Sequence, residues 1–176
     1  PTPPTVINHV CAVDFVFDPG ATGQVLKCLT VVDEGTRECL AIDGAGRLRS
    51  ARVIELVSRL VALHGAPQFV RADTGPECVS RAIGRWWVAS GIDTAFIDPG
   101  KPWQNGTNES VNGPFRDECR TLEWFGTRVE ATVVIEAWRR HDNEVRPHSS
   151  LGYLTPQEFK SQVKSVHVEE GPSHPS

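Results

Sequence analysis

The chain has 176 residues, the size of one compact domain able to bury a core without staples. Hydrophobic residues make up 39% and charged residues 23%, ordinary globular usage that excludes wholesale disorder, and no apolar run approaches the ~20 residues of a membrane span. Eighteen Lys and Arg against 22 Asp and Glu leave a net charge of −4, which weakens a nucleic-acid reading without excluding it, because 14 of the 18 cations are Arg, the side chain that forks onto phosphate.

A soluble protein without a visible export signal is expected, and the absence of Met with a start at Pro1 fits a piece of a longer reading frame. The five cysteines are odd in number, widely spaced and free of any C-x-x-C pair, so they read as reduced thiols packed as small hydrophobes.

After an extended lead-in at 1–8, three β-like segments are predicted at about Val10–Phe17, Val25–Val32 and Glu38–Ile42. Asp18-Pro-Gly20 and Asp33-Glu-Gly35 make the turns between them, an antiparallel meander. The period then changes. Val53, Leu56, Val57, Leu60 and Val61 form one face of a helix, with Ser50 as its N-cap and Gly65 with Pro67 as its stop. A short strand at Gln68–Ala72, a helix at Ser80–Ser90 and a strand at Thr94–Ile97 follow. Gln104–Arg120 reads as a helix interrupted by Pro114, and Arg128–Arg140 as a helix with Val129, Thr132, Val133, Glu136 and Ala137 along one stripe and Val134 and Trp138 widening the buried arc. The organisation is a lead-in at 1–8, a core at 9–160 and a flexible tail at 161–176, with a mixed sheet flanked by helices.

Three carboxylates stand where a sheet could converge them: Asp14 within the first strand, Asp73 at the end of the fourth, and Glu109 on the helix after the fifth, with 35 residues between Asp73 and Glu109. Converging carboxylates suit hard divalent cations, and two such ions about 3.5–4 Å apart can activate an attacking oxygen and stabilise a leaving one at phosphorus. Taken singly, Asp73 reads as a turn former. Asp14, between Val13 and Phe15, needs a partner wherever it is buried.

The wording around these acids is more specific. Ala-Val-Asp-Phe at 12–15, Arg-Ala-Asp-Thr-Gly-Pro-Glu at 71–77, Gly-Lys-Pro-Trp-Gln-Asn-Gly-Thr-Asn-Glu-Ser-Val-Asn-Gly-Pro-Phe-Arg-Asp-Glu-Cys at 100–119, and Asn143-Glu-Val-Arg-Pro-His-Ser-Ser-Leu-Gly152 with Thr155-Pro-Gln-Glu-Phe159 occur in one order. Over residues 8–159 this closely resembles the integrase-like catalytic domain of bacterial insertion-sequence transposases, the DDE group related to retroviral integrases. The resemblance implies a ribonuclease H-like α/β fold with a five-stranded mixed sheet, its first three strands antiparallel. It also implies a site of Asp14, Asp73 and Glu109 holding Mg2+ or Mn2+, two ions, for DNA 3′-end cleavage and strand transfer.

Arg116 matches the family's basic residue seven positions after the Glu, and seven residues at about 100° each return it to Glu109's face of a helix, with Asn112 near the same face. Lys101, Gln104, Asn105, Asn112, Arg116, Arg146 and His148 are the candidate DNA contacts. The implied partners are element ends and target DNA, an upstream helix-turn-helix region outside this chain, and further copies of the chain in an active dimer or larger assembly. The implied location is the bacterial cytoplasm, on the nucleoid when DNA is bound. With a charge of −4 the chain alone is expected to bind duplex DNA weakly.

The chain departs from the family pattern at Cys11 (Trp in relatives), Thr74 (Asn), Cys78 (an aromatic), Asn108 (apolar) and Asp142-Asn143 (Tyr-Asn). Pro114 is the largest departure, since a helix-interior proline removes a hydrogen bond and costs about 3 kcal/mol. The chain is expected to kink there, or to break with Asn112 capping a new helix. Beside an active strand-transfer domain, two other readings therefore stand: a catalytically weak transposase remnant and a ribonuclease H-like nuclease.

Overall fold

The computed structural model describes residues 7–19, 25–45, 48–72, 77–96, 106–119 and 128–169. Five strands form one sheet: β1 (Val10–Pro19), β2 (Val25–Asp33), β3 (Cys39–Ala45), β4 (Phe69–Ala72) and β5 (Asp93–Phe96), in the order β3-β2-β1-β4-β5. β1, β2 and β3 pair antiparallel, whereas β4 joins β1, and β5 joins β4, in parallel. A parallel neighbour needs a crossover, supplied by α1 (Ser50–His64) before β4 and α2 (Glu77–Ala89) before β5. The chain continues through α3 (Gly106–Cys119), α4 (Arg128–Glu144), a short 3-10 turn (Ser149–Leu151) and α5 (Pro156–Glu169).

Alternation along the strands separates two cores. Val13, Phe15, Leu29 and Val31 face α1 and α2, where Val53, Val57, Leu60, Ile83 and Trp87 cover them. Val16, Cys28 and Val32 face the other way, against Val111 and Phe115 of α3 and Ile135 and Trp138 of α4. Phe115 meets Trp138 edge-on at 5.0 Å between ring centroids, the arrangement that aromatic quadrupoles favour. Asp14 and Thr30 occupy register-paired positions on this second face.

β3 is an edge strand with a bulge, for its register on β2 shifts between Val31 and Val32, leaving Leu40 unpaired with Cys39 and Ala41 on either side. The backbone at Cys39 is served from α4 instead. Asn143 accepts the Cys39 N–H at 2.8 Å and returns its own amide N–H to the Cys39 carbonyl at 2.9 Å. Arg139 donates to the same carbonyl. One side chain thus imitates a neighbouring strand and docks α4 on the sheet.

Several expectations are corrected. Ser50 is the first residue of α1 and not its cap: Arg49 holds the extended cap conformation without a side-chain capping bond. Gly65 ends the helix as expected, at φ +85, giving its N–H to Val61. On α4 the stripe of Val129, Thr132, Val133 and Ala137 faces outward, and the buried side is Ile135, Trp138, Asp142 and Asn143. Helix α5 runs to Glu169, well past residue 160, so the segment expected as a flexible tail is helical up to there. A reciprocal capping box starts it, Thr155 Oγ1 accepting from the Glu158 N–H and Glu158 accepting from the Thr155 N–H. Cys11 lines a small apolar pocket with Val57, Leu60 and Trp87.

Helix α3 is continuous across Pro114, which lies inside it. It therefore neither breaks there nor restarts at Asn112. The missing N–H at position 114 leaves the Ser110 carbonyl without its helical donor. Pro114→Arg is expected to raise stability by about 1–3 kcal/mol, read as a higher melting temperature; an unchanged or lower one refutes the cost assigned to the ring. Asn143→Leu is expected to lose about 1–3 kcal/mol in urea unfolding, because the buried Cys39 N–H loses its acceptor. A neutral result would show that α4 does not depend on this amide.

Candidate active site

Asp14 is 7% exposed on β1, and a carboxylate so placed must find donors. The Phe15 N–H donates to Oδ1 at 2.9 Å, and the Asn112 amide donates to Oδ2 at 2.6 Å. Asn112 is itself 2% exposed, and its carbonyl accepts from the Thr30 hydroxyl at 2.9 Å. Strand β1, strand β2 and helix α3 therefore meet in one buried polar cluster. Val111 and Phe115, flanking Asn112 on α3, sink into the apolar core beside it.

Glu109 lies on α3 one turn before Asn112, and residues three apart on a helix are neighbours, with Cβ atoms about 5–6 Å apart; its side chain lies outside the described residues. β4 ends at Ala72, paired with Val13, one residue short of Asp73 and Asp14 respectively. Asp73 lies outside the described residues, as do Lys101, Gln104 and Asn105. No cluster of three metal-ligating side chains occurs among the described residues, which include the side chain of only one of the three acids.

Arg116 is exposed one turn beyond Asn112. Asn112 itself is a correction: expected as a DNA contact, it is buried with both ends of its amide engaged inside the protein. Arg146 and His148, also expected as DNA contacts, make contacts within the protein. Arg146 donates to Glu118 at 2.5 Å, lies 3.7 Å from Asp142 and sits over the Trp138 ring at 5.4 Å. His148 is buried with Nε2 3.4 Å from Asp142, and its backbone bridges to Leu154. These two hold the turn after α4 to α3 and to the start of α5.

Sequence reasoning missed Thr30. The available signal was one hydroxyl in the otherwise apolar run Cys28-Leu-Thr-Val-Val32, on the strand face shared with Asp14. Beyond the cluster, Glu34 pairs with Arg71 of β4 at 3.1 Å. Burial pushes the Glu34 carboxyl up, and Arg71 and Arg37 oppose it.

Two models of the integrase core domain match the sequence, one over residues 5–102 and one over 90–156. The chain belongs to the integrase core domain family. Among its relatives, a protein of insertion element IS407 from Burkholderia multivorans is 44% identical over 93% of this chain and 59% of its own length. One of insertion element IS476 from Xanthomonas euvesicatoria is 43% identical over 90% and 46%. The chain thus spans about half the length of these relatives. The HTLV-2 integrase catalytic core, a dimeric form in complex with magnesium, superposes with a TM-score of 0.61 at 14% identity, covering 88% of this chain and 97% of that one. The integrase core described here therefore has the ribonuclease H-like fold, with the five-stranded mixed sheet expected. No described helix of it is long and apolar enough to cross a membrane.

On the strand that carries Asp14, burial and the charges of Asp33, Glu34 and Glu38 push the Cys11 thiol from 9.0 up to about 12. Burial pushes the Cys39 thiol up as well, with Asp142 adding to it. In the native integrase core Cys11 is expected to resist iodoacetamide at pH 8 and to react once urea is added, read by peptide mass spectrometry. Because the folded thiol holds its proton more tightly than the unfolded one, its contribution to stability is complete below about pH 9 and declines as pH rises towards 12. Native labelling of Cys11 at the rate of a free thiol contradicts this.

Proposed function

We propose that this chain is the catalytic core of an insertion-sequence transposase, a polynucleotidyl transferase that cuts DNA 3′ ends and joins them to target DNA. The observation that carries the reading is the Asn112–Asp14 hydrogen bond, which sets the turn of α3 bearing Glu109 against the strand bearing Asp14. The pairing of Ala72 with Val13, each one residue before an acid of the proposed site, supports the reading. Kinship with insertion-element proteins favours transposition over hybrid hydrolysis.

The donor set fits a hard divalent cation: carboxylate oxygens, one of them buried and hydrogen-bonded by the Phe15 N–H and the Asn112 amide. Asp14, Asp73 and Glu109 would hold Mg2+ or Mn2+, two ions, and the metal supplies Lewis acidity and a neutral-pH nucleophile when bound. The protein's own share is placement. Asp14 is held in one orientation, and the exposed Arg116 would pair with a backbone phosphate in this reading. Lys101, Gln104 and Asn105 belong to the same DNA-facing surface in this reading. Element ends and target are the DNA partners, recognition of the ends falls to a helix-turn-helix region of the longer protein, activity requires at least a dimer, and the location is the bacterial cytoplasm.

The test is a cleavage and joining assay of the longer protein that contains this chain, on duplexes carrying the element's ends, with magnesium or manganese. Joined product is expected from the parent, and background from Asp14→Asn and from Glu109→Gln, each folded by circular dichroism. Metal-dependent hydrolysis of RNA–DNA hybrids without joining would favour the nuclease, and no reaction on either substrate would mark a remnant.

A further inference from the structure

We infer that Thr30 is a positioning residue of this site, acting through Asn112 to fix the Asp14 carboxylate for a divalent cation; the inference rests on the metal reading above. An Asn amide has two ends that fill nearly the same volume, so shape alone does not decide which one faces Asp14. Its neighbours decide. An ionised carboxylate only accepts, so at 2.6 Å it must face the NH2 end. The carbonyl end then needs a donor, and Thr30 is placed to give one at 2.9 Å.

The Thr30 hydroxyl also lies 3.5 Å from the Asp14 carbonyl. Its single proton goes to the nearer acceptor, since hydroxyl bonds are commonly 2.5–3.0 Å. Thr30 is wholly buried and Asn112 nearly so, so solvent does not replace a lost partner. Without the hydroxyl, the amide carbonyl is a buried acceptor with no donor from β2. The amide then gains by turning towards other donors and loosens its hold on Asp14.

The arrangement does more than satisfy polar groups. It joins the strand of Asp14, the neighbouring strand and the helix of Glu109 through one side chain. Partners of metal ligands typically change metal affinity 10–100-fold when removed.

The experiment titrates Mn2+ into the full 176-residue chain, following free Mn2+ by electron paramagnetic resonance, with melting in EDTA measured alongside. Thr30→Val keeps the side-chain shape and deletes the donor; roughly tenfold weaker Mn2+ binding is expected. Thr30→Ser restores the hydroxyl and should restore the affinity. If Thr30→Val does not fold, Thr30→Ala reports the same deletion. A Thr30→Val chain that melts lower in EDTA yet binds Mn2+ like the parent overturns the inference, since that is the signature of a merely structural hydroxyl. Asp14→Asn separates the two readings. A parent that takes up no Mn2+, or uptake that Asp14→Asn leaves intact, defeats the metal reading itself. Uptake lost in Asp14→Asn and untouched in Thr30→Val defeats only the role of Thr30.

Discussion

A carboxylate buried in the central strand of a sheet constrains everything packed over it. Asp14 sits where alternation would otherwise place an apolar side chain, on the face covered by α3. Leaving it without donors would cost several kcal/mol. α3 therefore presents an Asn and not a Leu at 112, and β2 presents a Thr and not a Val at 30. Around these three residues the packing is apolar, from Val16, Cys28, Val32, Val111 and Phe115. A polar cluster ringed by such packing has one low-energy arrangement, because any slip of register strands several groups at once. The constraint that serves the site also fixes where α3 lies on the sheet.

Most of the fold was legible because its elements announce themselves locally. The strands are rich in Val, Leu and Cys and end at Asp, Gly or Pro, and α1 carries an unbroken 3.6-residue period. What escaped was set by distant partners. The α4 stripe of Val129 and Val133 looked like a core face, with Trp138 widening it; Trp138 is buried as expected, yet the helix also turns Asn143 inward and leaves Val129 and Val133 exposed. The reason is the bulged edge at Cys39, whose backbone requires Asn143, and nothing near residue 143 in sequence reveals it. α5 is a different case. Its capping box, Thr155-Pro-Gln-Glu158, was present in the sequence and also falls within a family motif.

The same division holds at the site. Asp14, Asp73 and Glu109 stand out in sequence through the words around them, whereas a helical wheel alone puts Asn112 near the face of Arg116 and so towards DNA. On that wheel Asn112 lies between the core direction of Val111 and Phe115 and the outward direction of Arg116. Only the presence of Asp14 and Thr30 across the interface assigns it to the buried side. Arg146 and His148 are placed by another acid. Cationic residues in a family motif suggest phosphate, but here a buried Asp142 lies beside both.

Pro114 shows how tertiary contacts outweigh local propensity. A proline inside α3 deprives Ser110 of a helical partner, in the turn that begins with Glu109. The helix nevertheless continues, and the reason lies on its two sides. Val111 and Phe115 are clamped in the core, Phe115 against Trp138, and Asn112 is tied to Asp14 and Thr30. Helices in proteins owe most of their stability to such faces and not to propensity. The consequence falls on Glu109. With the hydrogen-bond ladder interrupted after it, the position of its turn depends less on the rest of α3 and more on the Asn112 clamp one turn away. In this chain the side chain that orients one proposed ligand also anchors the turn that carries another.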